Sequence, residues 1–263
     1  MDSTKLLAIL AALGLGALVY FSGDDSPPKP LDPVPAPCPP DQPCPPKPKP
    51  RKPWGNQAGP VGPFGKISLG GPVAPDGLSE VQIDYPLNQR MGNIGSKVDG
   101  LGMCVSTSVE MSARCAGLDQ MRGFRDYCAN EPGGAGPSKM DRQIKAFCQA
   151  KGISVPIYVQ YQGNDPAAVA MLLKTCRMPS VTYGGMDSVR YPNAIQHMVN
   201  AVSLTDKWAC LLDNNETGRP GPVGENGLLW MTPNEFTERF RMGGGGWVFA
   251  WLTPPWPPVP SNR

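Results

Sequence analysis

Histidine and charge are both scarce in this sequence. His197 is the single histidine among 263 residues, and the eight cysteines include no CxxC pair. Zinc sites use several closely spaced Cys and His ligands, so we expect no metal site and no other cofactor. The formal net charge is only +2. No nucleic-acid-binding motif accompanies it, so nucleic acid is not an expected partner.

Long apolar segments are also scarce, and the clearest one is residues 6–21. As a helix it would be roughly 24 Å long at about 1.5 Å per residue, short of the ~30 Å core of a bilayer. Flanking residues could extend it, so we expect residues 1–25 to form a single-pass membrane anchor that contacts the lipid bilayer. Lys5 precedes the span and Asp24 and Asp25 follow it, which predicts a cytoplasmic N-terminus and an external remainder. A cleaved signal peptide and a secreted protein are the alternative.

Proline and glycine dominate residues 26–77. Repeated Pro-Pro and Lys-Pro pairs are incompatible with a helix or a central strand. At ~3.1 Å per residue, the proline-rich part is expected to be an extended spacer of on the order of 100 Å. Residues 254–263 form a similar proline-rich tail. The folded domain is therefore predicted over residues 78–253.

Within this domain the apolar pattern predicts helices first and strands afterwards, with Ser138 capping the third helix. The predicted helices cover residues 103–116, 118–129, 139–151, 166–176 and 233–240. The predicted strands cover residues 154–161, 180–183, 208–212 and 247–252, with a further strand-like run from His197. This order implies an α+β domain with a C-terminal antiparallel sheet.

A candidate nucleophile lies at the start of the first predicted helix. Gly100 and Gly102 lead to Cys104, from which a helical pattern runs without interruption to Gly117. The first turn of a helix has unpaired N–H groups and the positive end of the macrodipole. Such an environment lowers the pKa of a cysteine and populates its nucleophilic thiolate form.

The sole histidine is the candidate base. His197 begins an apolar, strand-like run, and the next predicted strand ends in Asp213-Asn214-Asn215. A polar group at the end of a neighbouring strand can orient an imidazole and fix its tautomer, and either Asp213 or Asn214 suits this role. Cys104, His197 and one of these two residues would form a generalised catalytic triad.

This order of parts resembles the papain-like cysteine peptidase superfamily, and within it the C39-like and NlpC/P60-like branches. The resemblance covers residues 88–252 and is carried by Gly102-Met103-Cys104, by His197-Met198-Val199 and by residues 211–215. It implies a papain-like domain with an N-terminal nucleophile helix, here placed after a membrane anchor and a proline-rich linker.

The resemblance also implies an oxyanion hole, and here the sequence departs from the family. Family members usually carry a Gln about six residues before the nucleophile, a place that Val98 occupies in this chain. Gln89 and Asn93 lie further upstream and are the candidates to replace it.

The expected reaction is acyl transfer, namely hydrolysis of an amide bond in a protein or in the peptide part of peptidoglycan. Cys104 would attack the carbonyl, His197 would act as base and then as acid, and Cys104 N–H would donate to the oxyanion. A tethered domain on a long spacer suits a cell-wall substrate and would also suit a virion-associated protein. The alternatives are an inactive papain-like binding module and an acyltransferase of the transpeptidase or transglutaminase type.

Overall fold

The computed structural model describes residues 19–22, 57–62, 65–69, 71–94, 102–131, 133–187, 191–215, 227–243 and 245–252. The helices are α1 (Cys104–Cys115), α2 (Phe124–Cys128), α3 (Pro137–Lys151), α4 (Ala167–Lys174) and α5 (Pro233–Met242). The strands are β1 (Val19–Ser22), β2 (Gln57–Gly62), β3 (Gly65–Leu69), β4 (Tyr158–Gln162), β5 (Ser180–Asp187), β6 (Tyr191–Leu204), β7 (Ala209–Leu212), β8 (Leu228–Met231) and β9 (Trp247–Trp251).

Six strands form the centre of an antiparallel sheet in the order β4-β9-β5-β6-β7-β8. β1 extends the sheet beside β4, and β3 and β2 extend the other edge. Alternate residues of each strand point to opposite faces, so Trp247 and Phe249 pack with α1, α2 and α3, whereas Val248 and Ala250 pack with α4 and α5. The predicted mixed α+β class with an antiparallel sheet is confirmed.

The predicted membrane anchor falls largely outside the described residues. Residues 6–18 belong to that undescribed part, and the last residues of the predicted span lie in β1, which runs antiparallel to β4. Among the described residues, no helix has the length and apolar character needed to cross a bilayer. The membrane anchor therefore stays a prediction.

The predicted spacer contains two strands. β2 and β3 pair antiparallel, and β3 continues onto β8 through Ile67 opposite Met231. The sheet thus begins before residue 78, although the most proline-rich part, residues 26–56, lies outside the described residues. The sequence did not predict these two strands, because both are short and they contain glycine, which has a low strand propensity.

Two helix boundaries differ from the prediction at glycines. Gly123 has a φ of 87°, in the left-handed region, so the helix predicted over residues 118–129 is interrupted and resumes as α2. α3 begins at Pro137 with Gly136 as its N-cap, so Ser138 lies inside the first turn. Proline suits this first turn because its missing N–H would have no partner in the helix.

α1 is almost completely buried, although it is rich in small polar residues. Nine of its twelve residues are buried. Ser108 Oγ donates to Met198 O at 3.0 Å on β6, and Ser112 Oγ donates to Met178 O at 2.7 Å. Short hydroxyl side chains allow the helix to approach the sheet closely while each polar group keeps a hydrogen bond. α1 is therefore held rigidly against β6, which carries His197.

Asn200 is the centre of this attachment and gives a first test. Its buried Nδ2 donates to Ser108 O at 3.0 Å, to Ser112 Oγ at 2.9 Å and to Ser180 Oγ at 3.3 Å. We expect Asn200→Ala to lower the free energy of unfolding by about 1–3 kcal/mol, because buried acceptors lose their donor. Urea unfolding would measure this change.

The matched control for that test is Asn130→Ala. Asn130 is exposed, and its Nδ2 donates to Tyr127 O at 3.1 Å. A surface substitution of this kind should change the free energy of unfolding by no more than about 0.5 kcal/mol. Equal effects of the two substitutions would contradict the attachment role of Asn200.

Candidate active site

Cys104 is the first residue of α1. Met103 precedes it as the N-cap, and the hydroxyl groups of Ser106 and Thr107 donate to Met103 O at 3.2 and 2.7 Å. Cys104 is half-buried, whereas residues 105–113 are all buried. The sulfur-bearing residue therefore lies at the accessible end of a buried helix, where the first-turn N–H groups favour a negative charge.

His197 and Asp213 meet across β6 and β7. The two strands pair antiparallel with Asn200 opposite Leu212, so the residue that follows β7 lies beside the middle of β6. His197 Nε2 is 2.8 Å from Asp213 Oδ1. Exposure is 5% for His197 and 0% for Asp213. Because water is largely excluded, this contact fixes the orientation of the ring.

Both oxygens of the Asp213 carboxylate accept hydrogen bonds. Oδ1, which contacts His197, also accepts from Asn215 N at 2.8 Å. Oδ2 accepts from the hydroxyl of Tyr191 at 2.6 Å. Short bonds to an ionised acceptor are stronger than neutral ones and favour the charged form of a buried carboxylate. The carboxylate is thus built to face a positively charged imidazole.

The electrostatics of Cys104 and His197 are coupled. Burial alone would raise the pKa of the Cys104 thiol, but a side-chain hydrogen bond and the charge of His197, with the backbone of Met198 and Val105, lower it overall. Burial alone would lower the pKa of His197, but the charge and hydrogen bond of Asp213, and then those of Cys104, raise it to about 10. Because Nε2 contacts Asp213, Nδ1 is the ring nitrogen left for Cys104. The pair is suited to exist as thiolate and imidazolium.

Other thiols in the described residues have the opposite character. Burial raises the pKa of Cys115 and of Cys128 to about 12, and that of Cys148 to about 11. The six cysteines of the described residues are all free thiols. Cys38 and Cys44 lie outside the described residues. Cys104, whose pKa is lowered, is therefore distinguished by its environment from these three thiols, whose pKa is raised.

Asn214 holds the helix and does not contact the imidazole in the described hydrogen bonds. Its Nδ2 donates to Ser108 Oγ at 2.8 Å, to Met198 O at 2.9 Å and to Cys104 O at 3.1 Å. Of the two candidates that follow β7, Asp213 is the one placed against His197. Asn214 instead ties the first turn of α1 to β6.

The two oxyanion candidates, Gln89 and Asn93, lie in different places relative to α1. Asn93 Oδ1 accepts from Met103 N at 2.8 Å, and its Nδ2 donates to Asn215 Oδ1 at 2.8 Å, so this amide lies beside the residue that precedes Cys104. Gln89 ends a short 3-10 turn and bonds locally, through its backbone, to Tyr85 and Pro86. Val98 lies outside the described residues. The structure thus brings Asn93, and not Gln89, to the start of α1.

Tyr191 and Asn215 are members of the site that the sequence did not single out as functional. Asn215 Nδ2 donates to the Tyr191 hydroxyl at 3.1 Å. Asn215 could have been suspected from its place beside Asp213. Tyr191 gave no signal, because a tyrosine at the start of a strand is common in any sheet.

Comparison of the chain with known protein families, with curated proteins and with solved structures found no match. Within the described residues, no group of three or more His, Cys, Asp and Glu side chains is placed to hold a metal ion.

Proposed function

We propose that this protein is a papain-like thiol hydrolase that cleaves amide bonds through Cys104, His197 and Asp213. One observation carries the proposal: the sole imidazole of the chain lies 2.8 Å from a fully buried carboxylate, and the cysteine at the start of α1 interacts electrostatically with the same ring. A nucleophile, a base and a group that orients the base are the elements of covalent acyl transfer.

The first half of the reaction follows from the protonation states. The Cys104 thiolate attacks the carbonyl carbon of the amide, and the electron pair of the C=O bond moves to oxygen. His197 then gives its Nδ1 proton to the leaving nitrogen. The electron pair on the oxyanion re-forms the C=O bond, the C–N bond breaks and an amine departs, which leaves a thioester on Cys104. Asp213 stays bound to Nε2 throughout, because it stabilises the imidazolium and does not itself take the proton.

The second half restores the thiol group. Neutral His197 removes a proton from water, and the hydroxide formed attacks the thioester carbonyl. The C–S bond breaks, the carboxylic acid departs, and the Cys104 thiolate and the His197 imidazolium form again. An amine in place of water would give the acyltransferase reaction on the same scaffold.

The oxyanion would be bound by Cys104 N–H and by the Asn93 amide. A carboxamide nitrogen carries two hydrogens, and the Asn93 amide is held beside Met103 N by its oxygen and against Asn215 by one hydrogen. Its second hydrogen would serve in place of the Gln that the family places nearer the nucleophile. Donors fixed in this way cost little reorganisation during the reaction.

The substrate class proposed is a protein or the peptide part of peptidoglycan. The predicted anchor of residues 6–21 and the proline-rich spacer would place the domain outside the cytoplasm and give it reach into a cell wall. Release of muropeptides from purified sacculi would identify wall hydrolysis, cleavage of a denatured protein would identify a peptidase, and incorporation of an added amine would identify an acyltransferase.

The activated thiol is tested by alkylation with iodoacetamide at about pH 6, where an ordinary thiol of pKa about 8.5 is under 1% ionised. We expect Cys104 to react at least ~10-fold faster than Cys115, because alkylation follows the thiolate fraction. Mass spectrometry of the folded protein would locate and time each modification.

Two outcomes decide between the proposal and an inactive binding module. His197→Ala should reduce the rate at Cys104 to that of Cys115, since the imidazolium that stabilises the thiolate is removed. Equal rates at Cys104 and Cys115 in the unaltered protein would contradict the proposed function.

A further inference from the structure

The hydroxyl of Tyr191 connects the carboxylate of the site to a second polar side chain. Tyr191 is buried at the start of β6. It donates to Asp213 Oδ2 at 2.6 Å and accepts from Asn215 Nδ2 at 3.1 Å. Asn215 N donates to the other oxygen, Asp213 Oδ1, at 2.8 Å. Each oxygen of Asp213 thus accepts a hydrogen bond from a separate donor, Tyr191 for Oδ2 and Asn215 for Oδ1.

We propose that Tyr191 is a positioning residue that keeps Asp213 ionised and aimed at His197, a role that rests on the proposed function of Cys104 and His197. The hydroxyl stabilises the charged form of a carboxylate that is fully buried. It also fixes the rotation of that carboxylate, because Oδ2 is held by Tyr191 while Oδ1 faces His197 Nε2.

The same hydrogen-bond network extends to the start of α1. Asn215 Oδ1 accepts from Asn93 Nδ2 at 2.8 Å, and Asn93 Oδ1 accepts from Met103 N at 2.8 Å. Asn93 N also donates to Asn214 O at 2.7 Å. Hydrogen bonds therefore run from the carboxylate to the residue that precedes Cys104. A shift of Tyr191 would disturb both partners of the thiolate–imidazolium pair.

The charged and titratable groups around this network are few within the described residues. His197 faces Asp213 from β6, and Cys104 faces His197 from α1. The buried Tyr183 of β5 lies against Tyr191, with their ring centroids 6.0 Å apart. Arg125 of α2 approaches from the side, where its Nη1 donates to Gly92 O at 2.9 Å beside Asn93. Low pH acts on the pair of Cys104 thiolate and His197 imidazolium through Asp213. Protonation of Asp213 removes the charge that supports the imidazolium, which in turn releases the thiolate to take up a proton.

The test is the pH dependence of Cys104 alkylation by iodoacetamide in the full chain, compared between the unaltered protein and Tyr191→Phe. The thiolate fraction of Cys104 should fall at low pH. We expect the midpoint of this fall to move to higher pH by about one unit in Tyr191→Phe, because a carboxylate with one donor fewer takes up a proton more readily. The readout is this shift of the midpoint, because a merely structural effect of the substitution would lower the alkylation rate without moving the midpoint.

Two variants accompany the test. Tyr85→Phe is the matched control, because Tyr85 is a buried tyrosine whose hydroxyl donates to Gln89 O at 3.1 Å, outside the network. It should leave the midpoint unchanged. Asn215→Ala removes the donor to the Tyr191 hydroxyl and should move the midpoint in the same direction by a smaller amount. Combined with Tyr191→Phe, its effect should be less than additive, as expected for one hydrogen-bonded unit.

The possible results separate this proposal from the proposed function. If the unaltered protein has a low-pH thiolate at Cys104 whose midpoint Tyr191→Phe does not move, the positioning role is wrong and the thiol chemistry stands. A uniform loss of rate without a shift would have the same meaning, because it indicates a structural role only. If Cys104 of the unaltered protein ionises like an ordinary thiol, the proposed function fails and this role fails with it.

Discussion

Replacing Cys104 by serine is expected to reduce amide hydrolysis by about 10⁴-fold or more, because removal of the nucleophile of a covalent mechanism leaves only binding and oxyanion stabilisation. A serine hydroxyl has nearly the same shape, but it gives up its proton far less readily than the Cys104 thiol, whose pKa is lowered. The measurement is kcat/KM on the substrate identified by the sacculus and protein assays.

Stability should change little in the same variant. Cys104 is half-buried at the end of α1, and the attachment of the helix depends on Ser108, Ser112 and Asn200, which are unchanged. Cys115→Ser is the matched control, since it replaces a half-buried cysteine at the other end of α1. It should leave kcat/KM within about threefold. Retention of activity in Cys104→Ser would contradict the assigned nucleophile.

The second large effect is expected for Asp213→Asn. This change keeps the size of the side chain and an oxygen for His197 Nε2, but it removes the charge that supports the imidazolium. We expect kcat/KM to fall by about 10²-fold or more, as in other triads that lose this charge. The loss should be greatest at alkaline pH, because the pKa of His197 then falls from about 10 and the imidazolium is lost earlier.

The same substitution should change how stability depends on pH. Folding raises the pKa of His197 from 6.5 to about 10: burial opposes this rise, and Asp213 is the main cause of it. A raised pKa means that the stabilisation is fully present below pH 6.5 and is lost as the pH rises towards 10. In Asp213→Asn this decline should be smaller. Urea unfolding at several pH values in this window would measure it.

Asp141→Asn is the matched control for that experiment. Asp141 accepts from the Tyr158 hydroxyl at 2.6 Å and from Gln160 Nε2 at 2.7 Å. The substitution therefore removes another hydrogen-bonded carboxylate charge, but one that does not contact His197. It should preserve both the pH dependence of activity and the alkaline decline of stability. An unchanged alkaline limb of activity in Asp213→Asn would show that Asp213 does not set the charge of His197.

The structure confirms the mixed α+β class that the sequence predicted. It also brings His197 into contact with Asp213, and Cys104 and His197 influence each other's pKa. A helix start is encoded locally, by the glycine before Cys104 and the unbroken helical pattern after it. The single histidine left no choice of imidazole. β7, which Asp213 follows, could be predicted from a short apolar run, and this is a local signal as well.

Local patterns could not choose between Asp213 and Asn214. Consecutive residues in an extended chain point in opposite directions, so one of the pair contacts His197 and the other contacts Ser108, but the sequence does not say which. The pairing of β6 with β7 decides it. The same holds for Asn93 over Gln89, because the distance of a loop residue from Cys104 depends on the path of the loop.

Amino-acid sequence alone thus determined which residue types were available and where α1 begins, since both depend on neighbours along the chain. Only the tertiary structure decided that Tyr191 and Asn215 donate hydrogen bonds to the Asp213 carboxylate and that β2 and β3 join the sheet. These contacts link residues far apart in sequence, and their energy comes from burial and hydrogen bonds that exist only once the sheet and α1 have packed together.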